Sequence, residues 1–78
     1  MSPYEALVEE AGRAIEDVRF WRMEGPAWVG ETSVWHFHAL FTDEAILGTA
    51  VKNGTSEVVL PPELLLKISL LLPPLAVV

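Results

Sequence analysis

Two imidazoles stand two residues apart, at His36 and His38. On a strand that spacing puts both side chains on one face, within reach of a single metal ion. Zinc would need at least one further protein ligand. The chain has no cysteine, and its acids are scattered: Asp43 and Glu44 fall just past the histidine segment and Glu24 toward its start. The pair therefore reads first as two half-buried histidines on a mixed face beside Trp21. Its second reading is the centre of a small ligand- or metal-binding protein or enzyme. No cofactor is implied by either reading.

Other residues with chemical potential are fewer. Ser2, Ser33, Ser56 and Ser69 have no base at a recognisable spacing, and the sequence holds no G-x-S-x-G, phosphate loop or H-E-x-x-H. Nothing in the sequence thus dictates an active site, and the expectation is a non-enzymatic protein. The acids Glu5, Glu9, Glu10, Glu16 and Asp17 cluster near the N-terminus and read as a solvated helix face. Of the five cations, only Arg19 and Arg22 lie close in sequence, and the net charge is −6. An acidic chain repels phosphate backbones, which argues against nucleic acid as the main partner. Trp28 sits in Gly25–Thr32, a stretch whose Gly-Pro pair and second glycine read as a loop. There it is either a binding anchor or a lid folded back on the core.

Four kinds of element must position these residues. Ser2, Pro3 and Glu5 form a capping box with proline at the first helical position. Tyr4, Leu7, Val8, Ala11, Ala14 and Ile15 then recur at helical spacing, which predicts a helix ending near Glu16. Val18 to Glu24 reads as a strand, and Ser33 to Thr42 alternates with Trp35, Phe37, Ala39 and Phe41 on one side. Pairing these two directly would set Phe20 opposite Phe37, Trp21 opposite His36 and Arg19 opposite His38. Asn53-Gly54 between Ala45–Lys52 and Ser56–Leu60 predicts a hairpin, with a helix over 43–52 capped by Thr42 as the rival. Pro61-Pro62-Glu63 opens a last helix over 62–72, and Pro73-Pro74 stops it. The expected architecture is one small α+β domain over residues 1–78: an N-terminal helix, a four-stranded antiparallel meander and a short apolar C-terminal helix.

That architecture has more apolar surface than 78 residues can shelter. Hydrophobic residues make up 51% of the chain, and from Val58 to Val78 the only charges are Glu63 and Lys67. So short a domain buries only about 60% of the surface it exposes when unfolded, and without cysteine no disulfide can reinforce it. The last helix is leucine-rich on every side and needs covering on every side. A sheet that is apolar on both faces needs two layers over it. The expectation is an association module, a homodimer or a subunit docked on a protein partner, with Leu64, Leu65, Ile68, Leu71, Leu72 and Trp28 at the contact. The C-terminal apolar tract is too interrupted by proline and charge to span a membrane, and the N-terminus lacks a signal-peptide pattern. These features predict a cytoplasmic protein. The absence of Cys and Gln, with Asn53 the one asparagine, is a composition found in thermophiles.

Overall fold

The computed structural model describes residues 1–54 and 56–73. Helix α1 (Pro3–Ile15) is followed by strands β1 (Trp21–Glu24), β2 (Ala27–Glu31), β3 (Trp35–Phe41), β4 (Ile46–Lys52) and β5 (Ser56–Val59), and by helix α2 (Pro62–Leu71). The strands form one antiparallel sheet in the order β1-β2-β3-β4-β5. The α+β class and the flanking helices are as the sequence implies, but the meander has five strands rather than four.

Local chemistry explains most boundaries. At the start of α1 the Ser2 hydroxyl accepts from the Glu5 amide at 3.1 Å, and the Glu5 carboxylate accepts from the Ser2 amide at 3.2 Å. Two of the helix's otherwise unpaired donors are thereby satisfied. The β4–β5 connection carries Asn53 at φ 42° and Gly54 at φ 71°, both in the left-handed region that Asn and Gly tolerate best. Thr42 does not cap a helix. Its hydroxyl and amide both engage the Ala45 backbone, and this tight turn joins β3 to β4.

The additional strand is Ala27–Glu31, inside the stretch read as a loop. Glu24 pairs with Ala27, so Gly25 and Pro26 make a two-residue hairpin turn. Gly25 has φ 60° at the first central position, where such turns place glycine. The same dipeptide that signals a break is here the shortest link between two strands. Because β2 lies between β1 and β3, the expected pairings of Phe20 with Phe37, Trp21 with His36 and Arg19 with His38 do not occur. Trp21 faces Gly30, and Gly30 faces Phe37. Trp21 is thus on the inner face, 6.0 Å from the Phe37 ring, and Phe20 precedes the strand and is exposed.

Trp21, Trp35, Phe37, Ala39, Ala50, Val58 and Leu60 form the core with Ala11 and Ile15 of α1 and Leu65 and Ile68 of α2. Both helices therefore lie on one face of the sheet. At Gly48 a β-carbon would sit 2.8 Å from Leu65 and 3.0 Å from Leu60, so glycine there lets α2 settle onto β4. Lys67 ties the helices together, donating to the Gly12 carbonyl at 2.8 Å and to Glu16 at 3.1 Å. Among the described residues no helix is long and apolar enough to cross a membrane.

Candidate functional site

Helix α2 follows β5 after two residues and has leucine or isoleucine at six of its ten positions. Such a helix cannot choose its inner stripe by amphipathicity; contact with the sheet and α1 chooses it. The chosen stripe is Leu65 and Ile68, both buried, flanked by half-buried Leu64 and Leu72. Of the residues expected at an interface, Leu65 and Ile68 are therefore core residues of the chain itself, and only Leu71 is largely exposed. The outward stripe is Leu66, Leu70 and Leu71, exposed to 60%, 78% and 47%. Leu66 and Leu70 are four residues apart and so lie one above the other on the helix surface.

Trp28 is on β2 rather than at a loop tip. It faces Met23 and Ala39 on the inner side of the sheet and is half-buried against the core. Met23, Trp28, Ala39 and Gly48 make one row of this face, and Phe41 and Ile46 the next. Met23 and Ile46 remain exposed, so this end of the inner face is apolar and incompletely roofed.

The opposite face of the sheet carries His36 and His38 with Arg22, Glu31, Leu40, Leu47, Thr49, Val51 and Val59. His36 faces Glu31 and Val51, with its Nδ1 3.4 Å from a Glu31 carboxylate oxygen. His38 faces Val29 and Thr49. The spacing does bring both imidazoles to one exposed face, and Trp21 is on the other. Among the described residues no three His, Asp or Glu side chains gather as a metal ion would need.

Two ion-pair networks brace the polar surface. Arg22 donates through Nε and Nη2 to Glu24, at 3.0 and 2.7 Å, and through Nη1 to Glu31 at 2.8 Å. The Arg22 bond holds the Glu31 carboxyl below the usual carboxylate range, and Glu31 with Glu24 raises Arg22 in turn. Glu10 on α1 accepts from Lys52 at 2.7 Å and from the Trp35 indole at 3.0 Å. The Lys52 bond lowers its pKa, with partial burial working against it and Trp35 working with it. The Glu10 network joins α1 to β3 and β4, so spacing along the chain gave no sign of it, whereas the Arg22 network lies within the β1–β2 hairpin that the sequence reading missed.

No known family model matches the sequence, and no curated protein or solved structure proved similar to it.

Proposed function

We propose that this chain is a non-enzymatic, cytoplasmic self-association module in which two copies meet through the outward face of α2. The observation that carries the reading is the exposure of Leu66, Leu70 and Leu71 on a helix whose other face is already in the core. Exposed apolar clusters on small domains mark contact sites. A second copy is the occupant that the charge distribution favours. Two molecules of net charge −6 repel, so a symmetric contact is favoured where each surface carries no net charge. The outward face of α2 carries one charge of each sign, Glu63 and Lys67, at i and i+4 on the side of Leu66 and Leu70, and so has no net charge. The partly roofed end of the inner face, with Met23 and Ile46 exposed, supplies further apolar surface. Trp28 and Leu72 are half-buried in one copy, packed against its core.

Sedimentation velocity over a wide concentration range tests the proposal. A mass that rises from one chain to two with concentration supports it. A single-chain mass up to millimolar concentration, with no binding of a hydrophobic dye, overturns it.

A further inference from the structure

Three of the five cations in this acidic chain, Arg13, Arg19 and Arg22, line one open cleft of about 760 Å3. The cleft lies between the C-terminal half of α1, the approach to β1 and the β2–β3 turn. Its volume is in the range of small-molecule sites, roughly 300–1,000 Å3. Sequence brought only Arg19 and Arg22 together; Arg13 joins them because α1 ends beside the approach to β1.

The charges in the cleft are unequally committed. Arg22 is held by Glu24 and Glu31, and Glu10 by Lys52 and Trp35. Arg13 and Arg19 make no hydrogen bond or ion pair among the described residues. Asp17 is then the one lining acid without a cationic partner there. The lining as a whole is balanced, Arg13, Arg19 and Arg22 against Glu10, Asp17 and Glu31, so an anion is attracted locally by the two guanidinium groups without a bonded acid and not by a net positive field. A cleft with no net positive charge, and with Asp17 and Glu10 in its wall, suits a monoanion better than a dianion. A guanidinium also presents paired N–H donors that match the two oxygens of a carboxylate.

The same cleft has an apolar wall. Phe20 is 70% exposed while its neighbour Trp21 turns inward to the core. An exposed phenyl ring beside an arginine is a surface on which a flat ring can stack. From these features we infer that the cleft binds a small aromatic monocarboxylate, its carboxylate held by Arg13 and Arg19 and its ring against Phe20. No α2 residue lines this cleft, and its test reads ligand binding, not self-association.

The test is a titration of the full chain with 2-naphthoate, 2-naphthamide and acetate, followed by amide NMR shifts at fixed salt. Binding of 2-naphthoate is expected with a Kd of about 0.1–1 mM, the range ordinary ligand efficiency gives a molecule of this size. The shifts should map to the α1 end, residues 19–20 and the β2–β3 turn. Naphthamide, which lacks the charge, and acetate, which lacks the ring, should each bind at least tenfold more weakly. Arg13→Gln and Arg19→Gln should each weaken naphthoate binding about tenfold, and Phe20→Ser about fivefold. All three side chains are exposed, so the variants should keep the wild-type spectrum elsewhere. No saturable shift by 10 mM naphthoate, equal binding of the amide, or unchanged binding by the arginine variants would each overturn the assignment.

Discussion

Replacing Leu70 by lysine puts the self-association reading at risk in one step. Full burial of a leucine side chain is worth about 1.5–3 kcal/mol. With Leu66, Leu70 and Leu71 exposed to 60%, 78% and 47%, each copy leaves wet the equivalent of about two leucines. Covering them yields about 3–6 kcal/mol per copy, or roughly 6–11 kcal/mol for a symmetric pair. Lost translational and rotational freedom opposes this by at least about 4 kcal/mol. The leucines alone thus support a Kd no tighter than about 10 μM. Leu70→Lys removes about 1.2 kcal/mol or more from each copy, counted twice by symmetry, and weakens the dimer at least about 50-fold. Sedimentation equilibrium of both proteins between about 5 and 500 μM should show a monomer–dimer equilibrium for wild type and monomer for the variant. The thermal midpoint at low concentration should not fall, because Leu70 is exposed in the single chain and makes no core contact. A variant that pairs as tightly as wild type would refute the argument.

Three further expectations concern the fold that supports these surfaces. Gly30→Ala should destabilise by about 1–3 kcal/mol despite alanine's lower backbone entropy cost. Its β-carbon would lie 2.6 Å from Trp21 and 2.7 Å from Val18, so urea midpoint and near-ultraviolet circular dichroism should change together. Unchanged stability would mean that Trp21 does not rest on Gly30. Trp21→Phe should be better tolerated than Trp35→Phe, as read by urea denaturation. The Trp21 indole N–H is buried without a partner, whereas that of Trp35 is bonded to Glu10; the reverse order would contradict this pairing. Glu10 and Glu31 have lowered pKa values in the folded chain. Their contribution is therefore present above the unfolded carboxylate pKa and lost as pH falls through the folded value. Glu10→Gln should lower the thermal midpoint at pH 7 and flatten its decline below about pH 4.5. A variant with the same acid decline as wild type would show that the Lys52–Glu10 pair contributes nothing.

Features written within a few neighbouring residues were legible in the sequence. Ser2, Pro3 and Glu5 define the start of α1 because a capping box involves one turn and nothing else. Asn53-Gly54 defines the β4–β5 turn because positive φ is a property of the residues themselves. Strict alternation identified a strand over Ser33–Thr42, observed as Trp35–Phe41, and assigned His36 and His38 to a common face. Paired prolines bracket α2, since proline can open a helix but not continue one. The balance of charge and leucine in the C-terminal third pointed to unsheltered apolar surface before any strand was placed.

What depends on partners far along the chain was settled only by tertiary structure. Gly25-Pro26 interrupts an extended segment, and only the pairing of Trp21 with Gly30 makes it a hairpin turn instead of a loop. The inserted strand then decides that Trp21 points into the core and that Trp28 lies in the sheet. Leucines all round α2 carry no periodic signal, so the inward stripe follows from the room left at Gly48 and beside Gly12. The convergence of Arg13 with Arg19 and Arg22 has the same origin, because the end of α1 is laid beside the approach to β1. A short-range rule is decided by the conformational preferences of a few residues, whereas which side chains share a surface depends on how the strands pair and where the helices rest on them.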